Sequence, residues 1–296
     1  LVISAFTAVS IVALLTLLLA SLLAVASIKL RVDEDPRVAH VYELLPHNNC
    51  GACGFPSCQM FAEALVAGKT APANCTVSNA SDKQVIVDYL HVDAGHQVRK
   101  VARLACAGGD NVATRQAHYQ GEKSCAAATQ VAGGGKTCTW GCLGLADCAN
   151  ACDFNAITMN EHGLPEVNEA QCTACGDCVI ACPKDLFSLQ PVTQHLWVRC
   201  KNLEQGDEVL QHCQVACTAC GRCAMDAPDN LISMQNNLPH IRYPASMSSQ
   251  QPDSTRRAIE RCPTGAIVWF SDTGTAQHGA AARQIIRHSA LNSEPS

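Results

Sequence analysis

The sequence predicts an α+β chain of 296 residues with three parts: a single N-terminal transmembrane helix, a small four-cysteine domain, and a duplicated cysteine-rich module. Three observations predict it. Leu1 to Ile28 contains no charged residue. The 20 cysteines fall into runs of short, fixed spacing. Two stretches in the second half repeat the same cysteine intervals, each followed by the same apolar pattern.

The uncharged run exceeds the roughly 30 Å hydrocarbon core at about 1.5 Å per helical residue. Lys29 and Arg31 follow it at once, which places the rest of the chain on the cytoplasmic side. The competing reading is a cleaved signal peptide ending near Ala24-Val25-Ala26; the run is too long for that, and no basic segment precedes it. A retained, single-pass anchor in a bacterial cytoplasmic membrane is the expectation.

The cysteine chemistry follows from one run. Residues 172–183 read CTACGDCVIACP, which is Cys-x2-Cys-x2-Cys-x3-Cys-Pro, the run of bacterial two-cluster ferredoxins. Cys172, Cys175 and Cys178 fit three corners of a [4Fe–4S] cubane, and Cys182 before Pro183 reaches a second cluster. Disulfides do not favour such triplets, and zinc uses separated pairs. A net charge of −5 and a pI near 6.1 argue against nucleic acid as a partner.

The four-cysteine domain is expected over 33–78. Asp35-Pro36 forms an N-cap and first-turn pair, and Val38, Val41, Leu44 and Leu45 share one face of a helix that Pro46 ends. Then comes NNCGACGFPSC, so Cys50, Cys53 and Cys58 lie close, with Cys75 sixteen residues on. A helix from Gln59 to Ala67 stops at Gly68. Four cysteines here make one [4Fe–4S] site, with zinc as the alternative. Ser81 to Gln84 reads as a capping box opening a helix in a linker over 79–105, whose end (91–100) looks polar and irregular.

The duplication is expected over 106–200 and 201–270, with a tail over 271–296. The first copy holds Cys138, Cys142, Cys148 and Cys152, then a hairpin joining Ile157 and Met159 to Leu164 and Val167. The second holds Cys213, Cys217, Cys223 and Ala227, then Ile232 and Met234 joined to Leu238 and Ile241 across Asn236-Asn237. Leu145 stands where a middle cysteine belongs, so Cys138, Cys142, Cys148 and Cys182 are expected to hold one cluster. Cys152, Cys172, Cys175 and Cys178 would hold the other. In the second copy Cys217, Cys220, Cys223 and Cys262 form a site. Its companion is deleted as a unit, with Ala227, Ser246, Ser249 and Pro252 at the four ligand positions. Cys106, Cys125, Cys200 and Cys213 remain, enough for a fifth cluster by arithmetic. Cys138 and Cys213, at equivalent repeat positions, could exchange roles.

No P-loop or dinucleotide fingerprint is present, and Gly133-Gly134-Gly135-Lys136 reads as a turn. Arg256, Arg257 and Arg261 form a small basic helix face near Cys262, read as a solvated face or a dock for an acidic ferredoxin.

The whole order, and especially NNCGACGFPSC, CTWGCLGLADC, GLPEVNEAQCTACGDC and CPTGAI, resembles the B subunit of the Rnf complex, the membrane ferredoxin:NAD oxidoreductase, to about residue 270. The resemblance implies an electron-transfer subunit of an ion-translocating complex with no substrate-transforming site of its own. Soluble ferredoxin or flavodoxin would exchange electrons with its clusters. Other membrane subunits and a flavin- and NAD-binding subunit would be its partners, and ion translocation would belong to them. The alternatives are a polyferredoxin subunit of another membrane oxidoreductase, or an anchored iron–sulfur storage or delivery protein.

Overall fold

The computed structural model describes residues 2–29, 35–228, 231–243, 253–271 and 274–282, with side chains in the first helix from residue 11. That helix, α1, runs Val2–Lys29. Its described leucines stand free of the rest of the protein, Leu14 and Leu17 being 70% and 71% exposed. Among the described residues no helix is long and apolar enough to cross a membrane, residues 1–10 of α1 contributing no side chain to that statement.

The N-terminal domain packs α2 (Pro36–Glu43) against α3 (Cys58–Val66), with α4 (Ala80–Leu90) alongside. Asp35 caps α2 as expected, its carboxylate accepting the Arg37 N–H at 2.9 Å. Val41, Phe61, Leu65 and Ile86 are almost wholly buried together, with Cys75 at the edge of their core. The cap of α4 is Asn79 rather than Ser81: the Asn79 side chain accepts the Asp82 N–H at 2.8 Å. Asparagine two residues earlier satisfies the same orphan donors.

The duplicated part is more regular than expected. Part of the polar stretch after α4 becomes β1 (Lys100–Leu104), paired antiparallel with β4 (Phe187–Pro191) so that Leu104 faces Phe187. Between them lie α5 (Cys125–Gln130), α6 (Asp147–Asn150), the hairpin β2–β3 (Ile157–Met159 and Pro165–Val167) and α7 (Asp177–Ala181). The second copy repeats this plan. Strand β5 (Leu196–Val198) pairs with β8 (Ile267–Phe270), which carries the short β9 (Ala276–Gln277). Inside lie α8 (Arg222–Asp226), the hairpin β6–β7 (Ile232–Gln235 and Leu238–Ile241) and α9 (Asp253–Glu260). Asn236 and Asn237 both take positive φ, 49° and 66°, the two-residue turn that the hairpin requires.

Each copy has its own core. Leu104, Ile157, Leu164, Leu186 and Phe187 fill the first; Leu196, Leu231, Ile232, Ile259 and Ile267 fill the second. A third, smaller cluster of Val112, Val209, Cys213 and Val215 joins them. Backbone bonds cross there, Thr114 N–H to His212 O at 3.0 Å and Gln214 N–H to Val112 O at 2.9 Å. The repeat therefore begins earlier than the cysteine intervals alone suggest. It starts at β1 and β5, and each of those strands runs directly into a cysteine, Cys106 and Cys200.

Candidate iron–sulfur sites

The structure gathers the cysteines into sets of four, each built from a local loop and a remote partner. In the N-terminal set, Cys50 and Cys53 occupy the α2–α3 loop, Cys58 opens α3, and Cys75 follows a 3₁₀ turn, Pro72–Asn74. The Asn49 side chain accepts the Cys58 N–H at 2.8 Å and ties the loop to the helix. Ser78 donates to Cys75 Sγ from both its hydroxyl, at 3.1 Å, and its backbone N–H, at 3.4 Å. Burial raises the Cys53 thiol, and Cys75 and Cys50 add to the effect.

The Cys152 set matches its expected membership. Cys172, Cys175 and Cys178 wrap the start of α7, and Cys152 enters from the end of α6 to line the same cavity. Gly176, at φ 97°, turns the chain into the helix between two of the ligands. Cys152 Sγ accepts the Ala156 N–H at 3.3 Å and Cys172 Sγ the Ala102 N–H at 3.5 Å. Burial, then the neighbouring Cys172, Cys175 and Cys152, push the Cys178 thiol up to about 12.

The next set corrects the sequence reading. Cys142, Cys148 and Cys182 meet as expected, but their fourth member is Cys125, not Cys138. Asp147 at the start of α6 accepts the N–H groups of Cys125 and Ala126, at 2.8 and 2.9 Å, and the Ser124 hydroxyl at 3.0 Å. This anchors the start of α5, and Leu145 directs its backbone N–H at Cys125 Sγ. Cys125 thus fills the corner that Cys220 fills in the second copy. Burial, then Cys125 and Cys182, push the Cys148 thiol up to about 12.

Cys138 belongs with Cys106, Cys200 and Cys213. Burial is again the largest cause of the raised Cys213 thiol, at about 12, with Cys106, Cys200 and Cys138 as its charged neighbours. The cavity thus brings together three of the four leftover cysteines, with Cys138 in the place expected for Cys125. Each copy contributes two members at equivalent places: Cys106 and Cys200 after the first strand, Cys138 and Cys213 before the triplet. The hydrogen bonds repeat too. Cys142 N–H donates to Cys106 Sγ, and its counterpart Cys217 N–H donates to Cys200 Sγ, both at 3.4 Å. The site lies on the seam between the copies.

In the last set, the Cys223 thiol is pushed up to about 12 by burial, then by Cys262 and Cys220, and Cys217 stands beside all three. The companion site expected to be deleted is partly within view. Ala227 packs into the apolar core beside Met234, Leu238, Ile241 and Tyr243; Ser246, Ser249 and Pro252 lie outside the described residues. Leu196 is the counterpart of Ala102. In the first copy the Ala102 N–H goes to the Cys172 sulfur; in the second the Leu196 N–H goes to the Tyr243 hydroxyl, at 2.8 Å. Tyr243 thus takes over the donor that a ligating sulfur receives in the first copy. Leu196 is fully buried. Tyr243→Phe should therefore cost about 1–3 kcal/mol, the penalty of an unsatisfied buried N–H, with no loss of iron. Chemical denaturation and an iron assay on the same preparation check both.

The pockets fit a cubane on grounds of their own. Backbone N–H groups converge on the sulfurs, the hydrogen bonding that thiolate-held clusters receive. At the seam, a Cβ on Gly108 would lie 3.0 Å from Cys213 Sγ, a contact that would press the sulfur out of place by a few tenths of an ångström. Among the described residues, no three His, Cys, Asp or Glu side chains converge tightly enough for a single metal ion.

The basic face near Cys262 is largely engaged internally. Arg261 pairs with Asp226 at 2.5 Å, and Arg256 donates to Gln277 at 2.9 Å.

Buried four-cysteine sets on duplicated ferredoxin-like modules define a multi-cluster electron carrier. Comparison with known proteins agrees. Residues 45–77 match the family model "Putative Fe-S cluster", and 137–192 match "4Fe-4S dicluster domain". Cys125 lies outside that second match. The chain is 38% identical over 264 residues to the B subunit of the Na(+)-translocating ferredoxin:NAD(+) oxidoreductase complex of Acetobacterium woodii, covering 89% of this chain and 76% of that one. It is 33% identical to the B subunit of the proton-translocating complex of Clostridium ljungdahlii, covering 83% and 85%. The B subunit of an ion-translocating oxidoreductase complex of Methanosarcina acetivorans is 33% identical over 66% of this chain and 74% of its own. The chain belongs to the family of B subunits of ion-translocating ferredoxin:NAD oxidoreductase complexes, an iron–sulfur electron-transfer family associated with the membrane.

Proposed function

We propose that the chain is a five-station electron wire within such a complex, with one [4Fe–4S] cluster in each four-cysteine set. The supporting observation is that all 20 cysteines are used, four to a set, and that successive sets are neighbours. Cys178 of the Cys152 set stands within charge range of Cys148 in the Cys125 set. The Cys142 N–H bonds from the Cys125 set to Cys106 at the seam, and the Cys217 N–H bonds from the last set to Cys200 at the seam. A cleft lined by Ala52, Ala73 and Thr76 on one side and by Cys172 and Thr173 on the other brings the N-terminal set to the opposite end. The order is N-terminal set, Cys152 set, Cys125 set, seam, Cys262 set. When bound, the clusters supply one-electron transfer; the chain's residues hold them, exclude water and set their potentials.

The membrane reading goes with this. Helix α1, with its exposed leucines and no charge before Lys29, would anchor the domains to the cytoplasmic face, beside the membrane subunits and the flavin- and NAD-binding subunit. Soluble ferredoxin or flavodoxin would meet the wire on its exposed surface. The modules would divide near residue 78 and then just before β1 and β5, earlier than the 105 and 200 that the cysteine intervals suggest. Storage or delivery fits less well, because 19 of the cysteines are buried or half-buried and only Cys220 is exposed. Purification of the native complex through a tag on this chain should bring down flavin-bearing membrane subunits. A preparation with full iron and no flavin-bearing partner would defeat this reading.

A further inference from the structure

Lys136 is buried to 7% exposure, yet no carboxylate accompanies it among the described ion pairs. Its Nζ donates to two carbonyl oxygens, those of Gly108 and, at 2.6 Å, Cys142. Carbonyl dipoles orient an ammonium but do not neutralise it, and a buried charge without a counter-charge is strongly unfavourable. The pocket is nevertheless shaped to hold it. A Cβ on Gly141 would press on the lysine stem, 3.2 Å from its Cδ. Lys136 also lines the seam cavity formed by Cys106, Cys138, Cys200 and Cys213. Gln211, two residues before Cys213 as Lys136 is before Cys138, is exposed; the second copy brings Arg199, beside Cys106, and Lys201, which donates to the Asp185 carbonyl, to the same cavity instead.

We infer that Lys136 is a built-in counter-charge of the seam cluster and raises its potential relative to the neighbouring stations. The inference rests on the five-station reading. A cubane with four thiolates is a net anion and gains one further negative charge on reduction. A fixed buried ammonium therefore favours the reduced form and raises the potential. The adjoining Cys125 set carries the opposite charge, Asp147 standing against Cys125. Glu204 also faces Cys138, but it is 44% exposed and pairs with His212 at 3.6 Å, so solvent and its partner screen it. Lys136 lies between Cys138 and Cys142, and its charge favours the thiolate at both. At the Cys142 end, Asp147 offsets it. The seam becomes the point where an electron pauses between the two copies.

The test is an EPR-monitored redox titration of the full chain, with iron measured on each sample. The seam signal is the one that Cys106→Ala removes together with four irons. Lys136→Met should keep wild-type iron and lower the midpoint of that signal alone. A tenfold fall in the reduced-to-oxidised ratio corresponds to 59 mV for one electron. Lys136→Arg should keep the wild-type midpoint. If Lys136→Met fails to fill the site, Lys136→Gln, which keeps a donor but no charge, serves for the same comparison. An unchanged midpoint at full iron overturns the inference. So does loss of four irons in both neutral variants, which would make the lysine structural. Only about 16 irons in the wild type would instead overturn the five-station reading beneath it.

Discussion

Removing the seam cluster with Cys106→Ala and Cys138→Ala together should leave four clusters in place and cut the wire in two. About 16 of 20 irons should remain, by the four-iron stoichiometry. Electrons supplied at either end should then reach the far module no faster than in a mixture lacking any internal path. The reason is the geometry of the seam. The Cys125 set and the last set each bond to the seam, Cys106 receiving the Cys142 N–H and Cys200 the Cys217 N–H. Rapid-freeze EPR reads this directly, through delayed reduction of the Cys262 cluster. A slow chemical reductant should still reduce that cluster, which separates a broken path from a damaged site. Transfer at the wild-type rate would show that the modules communicate without the seam.

Paired substitutions should reveal which cysteines share a cluster. Cys125→Ala and Cys182→Ala should each cost about four irons, and the double variant should cost no more than either, because both residues serve one cubane. Cys138→Ala with Cys182→Ala should cost about eight. If Cys138 were instead the partner of Cys142, Cys148 and Cys182, the two outcomes would trade places: Cys138 with Cys182 would show the four-iron loss. Buried sets of this kind also serve as part of their module's core, Cys142, Cys148 and Cys178 packing beside Leu104, Ile157 and Phe187. Each variant should therefore be compared for solubility and secondary structure before its iron is counted.

Much of this arrangement was legible in the residues. The Cys172–Pro183 run identified its cofactor because triplet spacing leaves few alternatives. The hairpins followed from alternation and, in the second copy, from Asn236-Asn237, which fits the turn that two positive φ values demand. The first helix start followed from Asp35-Pro36, while the helix expected from Gln59 opens one residue earlier, at Cys58, capped by Ser57. What escaped was long-range. Strand β1, which begins at the last residue of the polar stretch 91–100, was not foreseen because its partner β4 lies more than eighty residues away in sequence. Cys125 carries no spacing signal, since it comes from a separate helix held by Asp147. One clue was available. In the second copy Cys213 stands outside the complete Cys217–Cys220–Cys223 triplet, so its counterpart Cys138 should stand outside the first copy's triplet too. Leu145 then leaves a corner for Cys125. Tyr243 could not be foreseen either, because its part depends on the β5 N–H that it receives.

The central claim is that every cysteine is a ligand and that five clusters are present. Iron and acid-labile sulfide in the anaerobically purified full chain test it most directly. Five filled sets predict about 20 of each per chain. About 16 would remove the seam cluster, and about 24 would mean that the site associated with Ala227 and Tyr243 still holds one; either result contradicts it.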